Sequence, residues 1–538
     1  MTPQLPEEGM ERGASEMFAP PPLFRAARAG SAIGLATIGA LIIGFALQLT
    51  IAYRFGAGGA TDAFFMAQGT SELLTKILLG GSLTSVFLPM FVEHLTQGRP
   101  ERAWKLANHL FHLAGMGFLL VLGLLALFTH EVVSVIAPGF PPDIRTTTVL
   151  LLRIMLPGFF FLLLTDLAIA ILHSFRVFGI PALARLVTPL LSLLLVLTAG
   201  ARYGIVVLAV GTLLGATIQI LLMVRALVRS GFVYEPALSL RDPDVRQVMR
   251  LVAPFALSVL AAQGAGVVYR ILVSHFPEGS LSALKFGEKI VQVSNTLFLG
   301  SITTVAFPAF SRAVAKHVWE ETRTTMRQAL RLMLFFGTPL TVGIILLREP
   351  LVRLLYERGS FTAEDTSATA SVLALFLVGF VANGVGSLLG HLALALKATR
   401  ISVAVTIIAQ AVSVILFLLL APRMGIRGLA LASAITPYIL AALYVLFLTR
   451  HLTNLWTVFR DLHLVRFAVA GLALAVGVGS GQRLGVLMSG GTPPDVLILL
   501  VSTVLGALAY GAAVWMLRIP EIRVVREIVY YALHTIRR

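Results

Sequence analysis

The 538-residue sequence contains no cysteine and few charged residues. The absence of cysteine excludes disulfides and thiol chemistry, and it is compatible with any cellular compartment. Only 13% of the residues are charged, 57% are hydrophobic, and the mean hydropathy is +0.90. Soluble domains are about 45–50% apolar. This composition therefore excludes a soluble globule and predicts a polytopic membrane protein.

Motifs for catalysis are missing as well. The sequence has no Gly-Lys-Ser/Thr nucleotide-binding loop, no histidine pair at metal-binding spacing and no nucleophile elbow. Residues 56–59 resemble a phosphate-binding loop only by composition, and a turn between two apolar helices explains them. We therefore expect a transporter rather than an enzyme, with no cofactor, no metal site and no ATP-driven step.

Long apolar runs dominate the rest of the chain. They are continuous and lack the alternation of outer-membrane strands, so they predict an all-α protein of membrane-spanning helices. A bilayer core requires about 20 residues per helix, and fourteen runs reach that length. They cover residues 31–53, 61–93, 106–129, 146–174, 181–200, 204–229, 246–275, 280–314, 323–347, 366–396, 401–421, 425–449, 464–485 and 494–518.

The two halves of the chain repeat each other. The segment GSLTSVFLPMF at 81–91 returns as GSITTVAFPAF at 300–310, and Tyr53-Arg54 returns as Tyr269-Arg270. A repeat of this length indicates duplication of a whole lobe. Because each repeat contains six spans, the two lobes should be related by a pseudo-two-fold axis along the membrane normal, with a cleft between them.

These observations predict five segments. They are a disordered leader at 1–30, an N-lobe at 31–229 (spans 1–6), a C-lobe at 230–452 (spans 7–12), spans 13 and 14 at 453–518, and a tail at 519–538. The tail has apolar residues at helical spacing and arginines on its other faces. We expect a basic amphipathic helix on the inner leaflet, or alternatively a helix that binds a partner protein.

The net charge of +16 comes from lysines and arginines in short loops, not from one continuous patch. This distribution indicates the positive-inside bias and argues against a nucleic-acid partner. Placing the N-terminus inside puts most of these residues, such as Arg99, Arg102, Lys105, Arg241 and Arg246, in the cytoplasm. Both termini are therefore expected to be cytoplasmic, and the protein is expected to be a monomer.

Several ionisable residues lie in or near the apolar spans, where each costs roughly 2.5–3.5 kcal/mol if it faces the bilayer centre. Snorkelling or a structural ion pair, such as Glu72 with Lys76, is the alternative to a role in substrate binding. Their concentration in spans 2, 7 and 8 favours a shared basic cavity for an anionic head group. The candidates are Glu72, Lys76, Arg153, Asp166, Arg270, Lys285, Glu288 and Lys289.

Glycine and proline recur at matching places in the second span of each lobe. Gly80, Gly81 and Pro89 are answered by Gly300 and Pro308. This combination predicts kinks of the kind used by discontinuous transporter helices. Close helix packing around small residues is the alternative explanation.

Three motifs identify a family resemblance. FGAG at 55–58 with TDAFF at 61–65, APGF at 137–140 and YERGSFTAEDT at 356–366 resemble the MurJ (MviN) lipid II flippases of the multidrug/oligosaccharidyl-lipid/polysaccharide exporter superfamily. The resemblance implies two lobes around a cationic cavity, with spans 13 and 14 forming a groove for a long lipid tail. It also implies movement of an undecaprenyl-pyrophosphate-linked peptidoglycan precursor across the bacterial inner membrane for cell wall synthesis.

The family's functional residues are only partly present. Asp62 matches the family aspartate, whereas Lys289, beside Glu288, replaces the span 8 arginine. Two span 1 arginines are Leu41 and Leu47, and the span 2 arginine falls on Thr75. We expect a rearranged cationic cavity, and the resulting candidate substrate-binding residues are Asp62, Arg54, Lys76, Arg270, Glu288 and Lys289, with Glu72, Arg153, Asp166 and Lys285 as further cavity candidates.

Sodium coupling, which the resemblance would suggest, is not supported by the residues. Ser413, Phe417 and Arg270 offer no carboxylate for a cation. Coupling to the membrane potential or to another ion stays open. Three functions also stay open at this point: a lipid II flippase working by alternating access, a diverged flippase for another polyprenyl-linked oligosaccharide or polysaccharide, and a membrane scaffold that does not transport.

Overall fold

A computed structural model describes residues 23–79, 82–175, 177–235, 242–449, 455–489 and 494–522. Helices joined by short turns make up these ranges, which confirms the all-α prediction. The helices before residue 230 are α1 Leu23–Phe55, α2 Gly59–Leu79, α3 Ser82–Thr96, α4 Pro100–Leu127, α5 Thr129–Ile136, α6 Pro142–Ser174, α7 Gly179–Ala184, α8 Val187–Tyr203 and α9 Val206–Arg229.

The second half contains twelve further helices and one π-helical segment within the described ranges. They are α10 Pro243–Val273, α11 Ser280–Ser294, a π-helix Asn295–Gly300, α12 Ser301–Ala315, α13 Trp319–Leu346, α14 Arg348–Tyr356, α15 Ala363–Val378, α16 Phe380–Ala395, α17 Thr399–Met424, α18 Ile426–Leu448, α19 Leu455–Arg460, α20 Leu464–Ser489 and α21 Asp495–Met516.

Eleven described helices are long and apolar enough to cross a membrane, or twelve when the bent pair α15 and α16 counts as one span. The membrane prediction is therefore confirmed, whereas the count of fourteen stays a prediction. The predicted second span corresponds to α2 and α3, on either side of residues 80 and 81. The predicted seventh span, 246–275, overlaps α10 and extends two residues beyond its end.

The predicted segment at the start of the chain needs one correction. Helix α1 begins at Leu23, so residues 23–30 are helical rather than part of a disordered leader. Residues 1–22 and 523–538 lie outside the described ranges, and the predicted leader and tail are untested there. The proposed boundaries of the two lobes also stay predictions, and "N-lobe" and "C-lobe" are used below for residues 31–229 and 230–452.

The matching prolines lie inside helices, Pro89 in α3 and Pro308 in α12. Gly300 is the last residue of the π-helix that joins α11 to α12. Such π segments occur often at functional sites. Gly80 and Gly81 lie outside the described residues, so their predicted hinge role is untested.

A second break was not predicted. Helices α15 and α16 meet at Gly379 with a bend of 43°. A Cβ atom on Gly379 would lie 2.6 Å from the carbonyl oxygen of Ala434 in α18. The helices can approach this closely only because residue 379 has no side chain.

Helix α10 connects the two lobes. Its first turns pack against the N-lobe, where Val245 and Val248 join a buried cluster with Phe87 and Phe91 of α3. Its last turns reach the C-lobe, where the ring of Tyr269 lies 5.6 Å from that of Phe417 in α17. The cleft between the lobes is therefore bounded on one side by a helix that contacts both.

Candidate functional site

A cavity of about 490 Å³ lies between the lobes. Helix α2 of the N-lobe and helices α10, α11 and α15–α18 of the C-lobe line it. The polar and charged side chains among its lining residues are Lys76, Gln263, Tyr269, Arg270, Lys285, Glu288, Asn383, Gln410, Ser413 and Ser433. The site is polar, although nearly all of it is built from predicted membrane spans.

The charges of this cavity are predominantly basic. Lys76, Arg270 and Lys285 supply three cations, and Glu288 supplies the single acidic side chain among its described lining residues. Glu288 already accepts a hydrogen bond of 2.8 Å from Lys285. Among the described residues, neither Lys76 nor Arg270 forms an ion pair at salt-bridge distance, so these two basic groups are placed to meet an anion.

Arg270 also connects the lobes directly. Its Nη2 donates a 2.6 Å hydrogen bond to the carbonyl oxygen of Gly69 in α2, and its Nη1 donates to Gly266 in its own helix at 2.8 Å. A Cβ on Gly69 would lie 2.9 Å from Nη2, so the guanidinium approaches α2 where the helix has no side chain. The cation thus lies at the boundary between the lobes and inside the cavity wall.

Lys289 lies beside this cavity rather than in its lining. Its amino group faces α1, 3.8 Å from the point that a Cβ on Gly44 would occupy, and it contacts Gln292 Oε1 at 3.4 Å. Gly44 lies in the span 1 segment that contains Leu41 and Leu47. Lys289 therefore brings positive charge to this part of α1.

The other predicted cavity residues are not among the side chains that line this cavity. Arg54 packs against Gly200 at the end of α8, so the structure does not place it in the cavity. Glu72 accepts a hydrogen bond from Gln68 rather than forming the predicted ion pair with Lys76. Arg153 and Asp166 are exposed positions on α6 outside the cavity lining, so their predicted contribution to the cavity is not supported either.

Asp62 closes one end of the cleft. One of its carboxylate oxygens accepts the Gly279 N–H at 2.8 Å, and the other accepts the Ser282 N–H at 2.7 Å and the Ser282 hydroxyl at 2.6 Å. These groups form the first turn of α11, whose own N-cap, Gly279, has no side chain to offer. Asp62 therefore caps a helix of the opposite lobe, where a carboxylate also complements the helix dipole.

Two loop contacts reinforce the same end. Ser360 donates from its N–H to the Tyr53 carbonyl at 2.9 Å and from its hydroxyl to the Arg54 carbonyl at 3.1 Å. Gly359 has a φ of +64° and approaches the Tyr53 carbonyl so closely that a side chain could not fit. A loop of the C-lobe is thereby docked on the end of α1.

The reciprocal contact joins an N-lobe loop to the end of α10. The Gly139 N–H donates to the Ser274 hydroxyl at 3.1 Å, and a Cβ on Gly139 would lie 2.5 Å from the Ser274 carbonyl oxygen. We call the Asp62, Ser360 and Gly139 contacts together the latch. Because all three join the lobes at one end, the cleft is closed there.

The start of α10 contacts the N-lobe through polar side chains. His94 Nε2 lies 3.1 Å from Asp244 Oδ2, and His109 Nε2 lies 3.9 Å from Asp242 Oδ2. Asn108 donates from its amide to the Val233 carbonyl at 2.9 Å. The start of α10 therefore belongs structurally with α3 and α4.

A separate apolar cavity of about 460 Å³ lies between the C-lobe and the last two spans. Phe335, Leu340 and Ile344 of α13 line one side, and Leu474 of α20 and Leu499 of α21 line the other. Its lining is mainly apolar, and the role of spans 13 and 14 as a groove for a lipid tail stays a prediction.

The neutral polar residues of the central cavity were not predicted from the sequence. Gln263, Asn383 and Gln410 lie in runs that read as uninterrupted apolar spans. A signal was available, because amide side chains in apolar spans usually face a bundle interior. Within the described ranges, no cluster of three or more histidine or acidic residues is arranged to hold a metal ion.

Comparisons with known proteins agree with the sequence motifs. The family described as lipid II flippase MurJ matches residues 51–490. A probable lipid II flippase MurJ of Bdellovibrio bacteriovorus is 24% identical over 91% of this chain and 94% of its own. One from Rickettsia prowazekii is 25% identical over 78% of this chain and 83% of its own.

Solved structures show the same fold. A lipid II flippase MurJ in an inward closed conformation matches with a TM-score of 0.78 and 21% identity, covering 91% of this chain and 99% of the other. An inward-facing MATE multidrug transporter of the MOP superfamily matches with a TM-score of 0.65 and 16% identity, covering 78% of this chain and 95% of the other. The fold is therefore that of the superfamily predicted from the motifs.

Proposed function

The chain belongs to the lipid II flippase MurJ family, and we propose that it moves an undecaprenyl-pyrophosphate-linked peptidoglycan precursor from the inner to the outer leaflet by alternating access. The observation that carries this proposal is a basic cavity between two lobes that the latch closes at one end. A pyrophosphate cannot enter a low-dielectric core without compensating cations, because an unpaired charge there costs several kcal/mol.

The positive-inside bias indicates which end of the cleft faces each side of the membrane. With both termini in the cytoplasm, the latch lies on the outer side of the bacterial inner membrane. The head group then enters from the cytoplasmic side, and release requires the latch contacts of Asp62, Ser360 and Gly139 to break. The protein acts as a monomer in this proposal, with no nucleic-acid partner.

Arg270 has a double role in the proposed cycle. While the latch is closed, its guanidinium holds the Gly69 carbonyl across the lobes. A pyrophosphate oxygen is a stronger acceptor for a guanidinium than a neutral carbonyl oxygen is. An entering head group would therefore compete for Arg270 and weaken the contact between α10 and α2. Substrate binding and lobe separation are linked through this one side chain.

The tail of the substrate would lie outside the cleft. We assign it to the apolar cavity between α13, α20 and α21. About 25 cal/mol is gained for each Å² of apolar surface removed from contact with water, but a polyprenyl chain in lipid has no such gain. The groove therefore guides the tail more than it supplies affinity, and head-group binding falls to the central cavity.

Two experiments test this function. Expression of the chain should restore growth to a bacterial strain depleted of its own lipid II flippase. Purified protein in proteoliposomes should move lipid II between leaflets, and Lys76→Ala with Arg270→Ala should abolish that movement while membrane insertion stays normal. Full activity of the double variant would show that the head group is held elsewhere or that the cargo is another lipid.

A further inference from the structure

One side of the central cavity is lined by neutral polar side chains. Gln263 of α10, Asn383 of α16 and Gln410 of α17 line it. Across the residues that the structure describes, none of these three amides makes a side-chain hydrogen bond within the protein. Each offers two donors and one acceptor without a charge. They are therefore available to a ligand that has both donors and acceptors.

The helix break at Gly379 positions one of these amides. Asn383 lies one turn after the break, in the first turn of α16, and it is exposed. Gly379 itself lines the cavity, so the bend opens the wall at this point. The close packing of Gly379 against Ala434 fixes the bend. The amide is therefore held at the cavity by a rigid feature of the C-lobe.

The neutral and basic groups lie largely on different helices. The cations come from α2, α10 and α11, whereas the neutral groups come mainly from α16, α17 and α18, where Ser433 adds a hydroxyl. The aromatic rings of Phe380 and Phe417 line the same neutral side. Amides beside aromatic faces suit a sugar ring, which presents hydroxyl or acetamido groups at its edge and C–H groups on its faces.

We propose that Gln263, Asn383 and Gln410 form a subsite for the uncharged glycan of the substrate, while the basic side chains hold its pyrophosphate. This inference rests on the proposed function and extends it to how the cargo is distinguished. A site whose polar groups would be left unpaired by the wrong ligand discriminates strongly against that ligand. The amides would thus make transport depend on the sugar and not on the lipid pyrophosphate alone.

Binding of two lipids to the full-length protein in nanodiscs tests the subsite. One probe is undecaprenyl pyrophosphate, and the other is the same lipid with an uncharged N-acetylglucosamine disaccharide attached. The wild type should bind the glycosylated lipid about tenfold more tightly, as expected for two additional hydrogen bonds. Asn383→Leu with Gln410→Met keeps the side-chain volume and removes those bonds. It should bring the ratio close to one and leave the affinity for undecaprenyl pyrophosphate unchanged within about twofold.

A matched control is Gln482→Met on α20, whose amide lies outside the cavity and donates to the Leu346 carbonyl. This variant should keep the tenfold ratio. Thermal unfolding of each variant reports on folding, and the single substitutions Asn383→Leu and Gln410→Met replace the double variant if it unfolds. Each single substitution should then lower the ratio about threefold.

The outcomes separate the two proposals. Equal binding of both lipids by the wild type, or an unchanged ratio in the variants, would overturn the subsite and leave the flippase function standing. Binding of neither lipid by the wild type would overturn both. Loss of affinity for both lipids in the variants would also overturn the subsite, because the amides would then act on the whole cavity rather than on the glycan.

Discussion

Replacing Asp62 by asparagine should release the latch. The substitution keeps the size of the side chain but replaces one acceptor oxygen by an NH2 group. Either Gly279 or Ser282 then faces a donor where it had an acceptor, and the charge that complements the α11 dipole is lost. Because Asp62 makes three hydrogen bonds to the first turn of that helix, the change acts directly on the contact between the lobes.

The magnitude follows from these bonds. A hydrogen bond to a charged group contributes about 1.5–3 kcal/mol, and a charge at a helix terminus about 0.3–1 kcal/mol. Losing one bond and the charge should destabilise the latched state by about 2–4 kcal/mol. That corresponds to a roughly 30- to 700-fold shift of the equilibrium from the latched state toward the state in which the latch is open.

Spin-label distance measurements can detect this shift, and the natural absence of cysteine allows labels to be placed without further substitutions. Glu131 on α5 and Glu349 on α14 are exposed and lie in short helices, one from each lobe. Cysteines at these two positions should give one short distance in the wild type. In Asp62→Asn, a longer distance should appear and dominate.

The matched control is Asp143→Asn, because Asp143 is an exposed acid in the first turn of α6. It should leave the distance distribution unchanged. The reasoning would be refuted if Asp62→Asn also left the distribution unchanged, since the carboxylate would then contribute nothing to holding the lobes together.

Three further predictions concern charge and packing. Arg270→Lys should retain binding of the lipid pyrophosphate but lower transport about tenfold, because an ammonium lacks the rigid fork with which the guanidinium contacts Gly69 across the lobes and Gly266 in its own helix; equal transport rates in proteoliposomes would contradict this. Lys289→Arg should retain or raise transport in the same assay, and a loss of transport would contradict it. Gly379→Ala should lower stability by about 1–3 kcal/mol, because its Cβ meets the Ala434 backbone. Gly343→Ala, which meets nothing within 4 Å, is the control in thermal unfolding, and equal melting temperatures would contradict the packing argument.

The helices were predictable from the sequence because the thickness of a bilayer fixes the length of an apolar run. The predicted run at 146–174 corresponds to α6 at Pro142–Ser174, for example. The break at Gly379 was not predictable in the same way. Residues on both sides of it are apolar, and only the approach of α18 requires a glycine there.

The contacts of the candidate site were harder to predict than its helices. Asp62 was predicted to be a functional residue, but two of its three hydrogen bonds come from backbone N–H groups of the other lobe, which leave no pattern in the sequence. Arg54 and Arg270 occupy matching positions in the repeat and were expected to act alike. In the structure, Arg54 packs against Gly200 and Arg270 against Gly69, because the two lobes surround them with different helices.

The position of Lys289 provides a candidate replacement for the arginines that the family resemblance implies on the first span. Residues three or four apart lie on one face of a helix, so Leu41, Gly44 and Gln48 share a face of α1. The Lys289 amino group meets that face at Gly44. We propose that the positive charge which the family resemblance implies for α1 is supplied here by α11, from the opposite side of the cleft. A lysine supplies the charge without the two-pronged geometry that suits a pyrophosphate. Lys289→Arg should restore that geometry, and improved transport would show that the charge moved between helices without changing its role.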